Sequence, residues 1–307
     1  MESRLWVHDL KQFGIVANQN YSYPPATLLL GSALSWLPYL PALAVWSLGG
    51  WVAFYLAART YVPFHPAWVL LLPATVSMPN GQYGVFAAAL WLFAFRGSGI
   101  AAGLLTLKPH LGLLLAVCLL AKHRWMQIAA ALAAMILLWA TAEAVFQLTL
   151  QFATEGIATQ ASVLTDTNAQ PYFAAMPSAY IRLRNTFLAW PAQVMIAMAA
   201  LAMLWTARNR PLKDLAFPAA TATFLVLPYG FSYDMGVVSL GFAILIYRHW
   251  TVLPLWQRVV SMLGFLSPGW ASIAVEPLIL LAGLYVQVRL GKSAVDPAPA
   301  NGAPLTP

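Results

Sequence analysis

The sequence predicts an all-α fold, namely a polytopic bundle of transmembrane helices. Of the 307 residues, 61% are hydrophobic and 8% are charged, whereas soluble domains carry about 25% charged residues. The mean hydropathy is +0.72, and most apolar runs end at a lysine or an arginine. Prolines interrupt several of these runs, so we expect several broken or short helices, together with one larger extracytoplasmic loop.

The net charge of +7 does not by itself indicate nucleic-acid binding. The 16 lysines and arginines are scattered at the ends of apolar runs and do not cluster on one face. Basic residues in such positions usually set the orientation of membrane spans. We therefore expect the lipid bilayer, and no nucleic acid, among the partners. The sequence does not indicate the oligomeric state.

The first apolar stretch, Pro24 to Ala58, is too long for one straight helix. Pro38 and Pro41 divide it into a short first piece and a full span that ends at Arg59, because about 20 apolar residues suffice to cross a bilayer. The next two apolar runs are His65 to Met78 and Tyr83 to Phe95.

The run from Ser98 to Ala121 carries Lys108 near its middle and His110 two residues later. A cation at mid-span costs roughly 2.5 to 3.5 kcal/mol, so the chain should supply a partner or a cavity for it. Pro109 lacks an amide donor and disfavours helical backbone at Lys108. We therefore expect two half-helices with a break at the lysine, which is tolerated only where protein or a water-filled cavity surrounds it.

The run Trp125 to Leu148 is predicted as a further span, and the polar segment from Thr149 to Trp190 as the large loop. Residues 1–290 are predicted to form one membrane-embedded domain, and the Pro- and Ala-rich residues 291–307 a disordered tail. The remaining apolar runs are Pro191 to Ala207, Leu215 to Leu227, Met235 to Tyr247, Val252 to Leu266 and Trp270 to Val288.

The distribution of charge predicts a multi-pass protein of the cell (inner or plasma) membrane. If the run around Lys108 enters and leaves on the same side, eleven basic residues share one side with only two acidic ones, Asp214 and Asp296. The other side then has five basic and seven acidic residues. The positive-inside rule makes the first side, with the C-terminus, cytoplasmic. Its basic residues are Arg59, Arg96, Lys122, Arg124, Arg208, Arg210, Lys213, Arg248, Arg258, Arg289 and Lys292.

Four interruptions of the apolar pattern fall on the extracytoplasmic side under this topology. Each combines Pro or Gly with polar or aromatic residues, so each is suited to line one shared cavity. The large loop adds Met176-Pro177-Ser178 and two arginines, Arg182 and Arg184. The four interruptions are residues 21–25, Pro79 to Gln82, Lys108 to His110, and Pro228 to Asp234.

Five sequence motifs follow one another between about Asp9 and Tyr247. They are YPPATLLLGSALSWLPYLPALAVW, the NGQ turn, GLLTLKPHLGLLL followed by KHRW, MPSAYIRLR, and LVLPYGFSYD. Their order and spacing resemble glycosyltransferase family 87, the polyprenol-phosphate-sugar-dependent, α-mannosyltransferase-like enzymes of the GT-C superfamily.

This resemblance implies transfer of a hexose, mannose in the family, from a polyprenyl-phosphate donor to a hydroxyl of a glycolipid or glycan acceptor. Transfer would take place on the extracytoplasmic face with inversion, and the donor is a substrate, so no separate cofactor is implied. Phosphate is already a good leaving group. Such a site needs a carboxylate to take the acceptor proton and cations to hold the charge that develops on the phosphate.

The chain also departs from the family pattern at its beginning. The resemblance implies that the family begins with one more span, followed by an outer loop. An aspartate of that loop, in a D-x-x-x-Y setting, is the catalytic base of the family. Residues 1–23 have neither, so the sequence is expected to lack that first span. Asp9 lies in what resembles the later part of the loop. The base then lies upstream, or another carboxylate replaces it, or the chain is an inactive truncated member.

Lys108 is the first candidate for binding the donor phosphate, and the alternative is a structural lysine that pairs with a carboxylate or extends to a membrane interface. His110 is a candidate for a hydrogen bond to sugar or phosphate, or for completing a helix end. Arg182 and Arg184 are candidates for clamping a phosphate bidentately, although exposed arginines are more often simply solvated.

Asp234 and Asp9 are the candidate catalytic carboxylates. The alternatives for Asp234 are an N-cap of the helix that begins at Met235 and a partner for a cation. The other candidate substrate-binding residues are Asn80, Gln82, Tyr23 and Tyr233. An Asn-Gly pair is also an ordinary turn, and Tyr23 before two prolines also suits a helix start.

Two further readings compete with the enzyme, a secondary transporter or lipid flippase and a non-catalytic remnant or scaffold. A secondary transporter or a lipid flippase would also use broken helices and a charge within the membrane, but we find no internal repeat and the breaks lie on one face.

No pair of histidines or carboxylates has i, i+4 spacing in a cavity helix, and no D-x-D pair occurs. No metal site is therefore predicted, although a loosely bound divalent cation stays compatible with the sequence.

Overall fold

The computed structural model describes residues 23–75, 81–156, 176–269 and 274–290. Within these ranges the chain is helical and contains no strand, so the predicted all-α fold is confirmed. The α-helices are α1 (Leu28–Leu34), α2 (Tyr39–Ala58), α3 (Gly84–Phe95), α4 (Gly99–Leu104), α5 (Leu113–Ala121), α6 (Trp125–Phe146), α7 (Ala179–Leu183), α8 (Ala189–Thr206), α9 (Ala216–Val226), α10 (Gly236–His249), α11 (Leu255–Leu266) and α12 (Glu276–Leu290).

Short 3-10 helices connect many of these elements. A three-residue α-helical turn, Thr149–Gln151, and a π-helical turn, Phe152–Gly156, also follow α6. The 3-10 helices include Pro25–Thr27, Pro66–Leu71, Leu105–Leu107, Pro109–Gly112, Leu212–Leu215, Ser232–Asp234 and Ser267–Gly269.

Three of the described helices, α2, α6 and α8, are long and apolar enough to cross a membrane. The other apolar helices are shorter than the runs that predict them. Within its described part, the run from His65 to Met78 contains the 3-10 helix Pro66–Leu71 and a 3-10 turn at residues 73–75, and no α-helix. Leu72, which precedes Pro73, has extended backbone with ψ 146°, as expected before a proline. Apolar content therefore overestimates helix length where prolines recur.

Proline placement also explains the first helices. The predicted division at Pro38 is confirmed, because Pro38 is the N-cap of α2 and α1 already ends at Leu34. The division at Pro41 is wrong, since Pro41 lies in the first turn of α2. A proline in the first turn removes only an amide that has no helical partner.

The predicted break at Lys108 is confirmed. Helix α4 tightens into the 3-10 helix Leu105–Leu107, Lys108 has φ −136° and ψ 71°, and a second 3-10 helix leads from Pro109 into α5. The half-helix α4 packs closely on α6, because a Cβ added at Gly103 would lie 2.4 Å from the carbonyl oxygen of Ala131. The lysine is thus held at a non-helical position inside packed protein.

Contacts at one end of the bundle join several of the basic segments that the charge distribution places together. Lys213 Nζ donates to the carbonyl oxygen of Thr60 at 2.9 Å, and Arg210 donates to the Gln287 carbonyl at 3.4 Å. The Trp91 indole, near the end of α3, donates to the Ala216 carbonyl at the start of α9. The starts of α3, α8 and α10 and the end of α9 consequently point toward the opposite end, where Lys108 lies.

Candidate active site

Lys108 and Asp234 form a buried ion pair. The Lys108 Nζ donates to both carboxylate oxygens of Asp234, at 2.5 and 2.6 Å, and the two residues are 4% and 5% exposed. Asp234 ends the 3-10 helix in the turn between α9 and α10. The N-cap hypothesis for Asp234 is wrong, because Met235 occupies that position and no side chain caps α10. The alternative of a carboxylate partner for Lys108 describes the observed contact.

The start of α3 is pressed against the turn that carries Asp234. A Cβ added at Gly84 would lie 2.2 Å from the carbonyl oxygen of Tyr233 and 2.9 Å from Asp234 Oδ1. Since no Cβ is tolerated at such distances, glycine allows this close approach of helix to turn. The position of the carboxylate therefore depends directly on α3.

Two tyrosine rings flank the ammonium group of Lys108. Its Nζ lies 5.3 Å from the ring centroid of Tyr23 and 4.7 Å from that of Tyr233, which is within cation–π range. The Tyr23 hydroxyl donates to Gln82 Oε1 at 3.4 Å. Three predicted site residues on separate segments thus meet Lys108 or each other, whereas Asn80 lies outside the described residues.

His110 contacts Tyr229 in the turn between the apolar runs of α9 and α10. The Tyr229 hydroxyl lies 3.3 Å from His110 Nδ1, and the ring centroids are 4.9 Å apart. Burial and the Asp234 carboxylate raise the pKa of Tyr229 to about 12, so its hydroxyl is protonated at neutral pH. If that hydroxyl donates to Nδ1, the proton of the neutral ring lies on Nε2. Nε2 is buried and has no hydrogen-bond partner in the described part of the chain.

The two arginines of the large loop differ in their surroundings. Arg182 lies in the last turn of α7, and its Nη2 donates to Glu276 Oε2 at 2.9 Å. The other Glu276 oxygen accepts from the hydroxyl of Ser267. Arg184 follows α7 as its C-cap residue. The predicted phosphate clamp therefore contains an arginine already oriented by a buried carboxylate.

A glutamine that sequence reasoning missed fixes α7 in place. Gln193 accepts from the Tyr180 amide at 3.1 Å and donates to the carbonyl oxygens of Leu225, Val226 and Leu227 at 2.9 to 3.2 Å. The Ser178 hydroxyl also donates to the Pro228 carbonyl at 2.5 Å. These bonds satisfy free carbonyls at the end of α9 and join α7, α8 and α9.

Glu276 is the other functional candidate that sequence reasoning missed. It is a lone carboxylate within the apolar run from Trp270 to Val288, and Gln193 is a lone amide in the run from Pro191 to Ala207. The argument applied to Lys108, that an isolated polar group in an apolar run needs a partner, was the available signal.

A small cavity of about 20 Å³ borders the ion pair, with Asp234, Leu111 and Thr223 in its lining. It has room for about one water molecule. Asp9 lies outside the described residues. Within the described ranges, no group of three or more His, Cys, Asp or Glu residues is arranged to hold a metal ion.

These observations define a class of protein, namely an all-α membrane protein with a broken helix and a buried ion pair at one end of its bundle. The family model for glycosyltransferase family 87 matches residues 21–228, and the chain belongs to this family. It is therefore a membrane glycosyltransferase. The match includes Lys108 and Arg182 but ends before Asp234 and Glu276. No curated protein and no solved structure matches the chain.

Proposed function

We propose that the chain transfers a hexose, mannose by analogy with the family resemblance, from a polyprenyl phosphate to a hydroxyl of a glycolipid or glycan. The reaction takes place on the extracytoplasmic face of the cell membrane with inversion at the anomeric carbon. The C-terminus is cytoplasmic, and the lipid-linked sugar phosphate is the donor, with no further cofactor.

The observation that carries this proposal is the position of Lys108. The lysine lies at a helix break, and two tyrosines and Asp234 from other segments surround its ammonium group. Its charge is buried, where interactions with an anion are stronger than in water. A helix break that holds a buried cation is typical of a functional site in a membrane protein.

The proposed reaction separates the ion pair. The donor phosphate takes the place of the Asp234 carboxylate at Lys108, with Arg182 and Arg184 binding the same phosphate from α7. The acceptor oxygen bonds to the anomeric carbon as the bond from that carbon to the phosphate oxygen breaks. Polyprenyl phosphate leaves with the electron pair, and its charge is balanced by the cations.

Asp234, once released from Lys108, accepts the proton of the acceptor hydroxyl. Asp9 is the second candidate for this role. The variant Asp9→Asn distinguishes the two, because it should abolish transfer if Asp9 accepts the proton and leave transfer unchanged if Asp234 does. His110, Tyr23, Tyr233, Gln82 and Asn80 are proposed to contact the sugar and phosphate.

The test is a transfer assay on membranes that contain the full chain. Radiolabelled polyprenyl-phosphate mannose, glucose and galactose are supplied separately, and transfer of label to membrane acceptors is measured. We expect transfer with one of these donors, and loss of transfer in Lys108→Ala although the protein still inserts. The matched control is Lys213→Ala at the other end of the bundle, with activity within about twofold of the parent. Full transfer by Lys108→Ala would remove Lys108 from the site.

A further inference from the structure

Glu276 has both carboxylate oxygens engaged at the same end of the bundle as Lys108. One oxygen accepts from Arg182 Nη2 and the other from the Ser267 hydroxyl. The side chains of Arg182 and Glu276 are 10% and 7% exposed. This is the second buried ion pair within the described ranges. Burying these two charged groups carries a desolvation cost, so a contribution to stability alone does not explain why this ion pair is present.

Arg182 retains donor capacity beyond this contact. Its Nε is buried and has no hydrogen-bond partner among the residues that the structure describes. A guanidinium has five N–H donors in a rigid fork that matches phosphate geometry. The contact with Glu276 fixes the orientation of that fork and leaves a buried donor for an anion.

The backbone of α7 and the side chain of Arg182 are held by different groups. Ser178 and Gln193 bind the start of α7, whereas Glu276 at the start of α12 binds the arginine side chain. The 3-10 helix that contains Ser267 also packs on the one that ends at Asp234. Glu276 is thereby connected to Arg182 directly and to the Lys108–Asp234 pair through these two 3-10 helices.

We propose that Glu276 is a positioning residue that holds Arg182 in the orientation that binds the phosphate of the lipid donor. This role rests on the proposed function and names a residue outside the matched family region. Glu276 does not contact the reacting atoms and acts through Arg182. Ser267 supports it by occupying the carboxylate oxygen that Arg182 does not use.

The test measures binding of polyprenyl phosphate and of the uncharged polyprenol to the purified full chain in lipid nanodiscs. Polyprenyl phosphate is the product common to all polyprenyl-phosphate sugar donors, so the identity of the sugar does not matter. We expect Glu276→Gln, which keeps the side-chain shape, to weaken polyprenyl phosphate binding about tenfold, as for the loss of one charged hydrogen bond. Polyprenol binding should change less than twofold, because that lipid offers no anion to Arg182.

A double variant adds a second criterion. Arg182→Gln should weaken phosphate binding at least as much as Glu276→Gln, and the combined variant no more than Arg182→Gln alone, since the two residues act as one unit. Asp214→Asn, the same change of charge at the opposite end of the bundle, is the control and should bind as the parent does.

Three results would overturn the positioning role. They are unchanged phosphate binding in Glu276→Gln, an equal loss for both lipids, and additive losses in the double variant. The equal loss would show that Glu276 only stabilises the fold. A parent protein that binds no polyprenyl phosphate would instead contradict the proposed function itself, so the two failures are distinguishable.

Discussion

Lys108 and Asp234 are 126 residues apart in the chain, yet the ammonium group contacts both oxygens of the carboxylate. Burying two charges is costly, and a pair of well-packed apolar residues is often equally stable or more so. The ion pair is therefore weak evidence for stability. It fits a site better, because a buried pair supplies an anion-binding cation and a carboxylate in one place.

The first prediction separates stability from activity at this pair. Asp234→Ala and Lys108→Ala each leave one buried charge without its partner, which should destabilise the protein by about 3–5 kcal/mol. The double variant Lys108→Met, Asp234→Leu should unfold at a higher temperature than either single variant and still transfer no sugar. Thermal unfolding in detergent and the transfer assay give the two readouts. A double variant that is as unstable as the worse single variant would contradict this account.

The second prediction concerns the close approach at Gly84. Gly84→Ala would place a methyl group 2.2 Å from the Tyr233 carbonyl oxygen, so the turn that carries Asp234 must shift. Overpacking of this kind costs about 1–3 kcal/mol, and sugar transfer should fall at least tenfold as Asp234 moves. Gly31→Ala is the matched control, since nothing lies within 4 Å of the added Cβ. Normal transfer by Gly84→Ala would mean that the turn tolerates displacement.

The third prediction concerns Gln193, which is 3% exposed. Gln193→Met keeps the length of the side chain but leaves the Tyr180 amide and the carbonyls at the end of α9 without this partner. Each buried unsatisfied group costs about 1–3 kcal/mol. Hydrogen exchange of residues 176–183 should become faster, while exchange in α6 stays unchanged as the internal control. Unaltered exchange in α7 would show that Ser178 alone holds this helix.

The fourth prediction tests the proposed topology with two asparagines on either side of α8. That helix has 18 residues, about 27 Å at 1.5 Å per residue, close to the hydrocarbon thickness of a bilayer. In a Cys118→Ala background, Asn185→Cys should react with an impermeant maleimide in intact cells and Asn209→Cys only after lysis. Both asparagines are exposed. The reverse pattern would invert the orientation. Ser162→Cys should label as Asn185→Cys does, although Ser162 lies outside the described residues.

Local chemistry made the helix break at Lys108 predictable, but it did not identify Asp234 as the partner of the lysine. Pro109 constrains the backbone on either side of itself, and that rule acts over one or two residues. Asp234 stands where an aspartate usually caps a helix, and a local rule therefore gave the wrong contact. The observed partner of the Asp234 carboxylate is the Lys108 ammonium group, and no pattern in the sequence relates positions so far apart.

Hydropathy likewise predicted the existence of the helices better than their length. The run from Trp125 to Leu148 corresponds closely to α6, because it contains no proline. The run from His65 contains Pro66 and Pro73, which remove amide donors that a helix needs. The pairing of Arg182 with Glu276 was beyond prediction for the same reason as that of Lys108, since it joins two segments distant in the chain.

The separation of Lys108 from Asp234 also has a consequence for biosynthesis. The segment that carries the lysine leaves the ribosome 126 residues before the aspartate. At the usual elongation rate of about 5–20 residues per second, this is an interval of roughly 6 to 25 s. During that time the half-helices α4 and α5 are in or at the translocon without the carboxylate. The end of the bundle that holds Lys108 can therefore close around this ion pair only after the turn before α10 has been made.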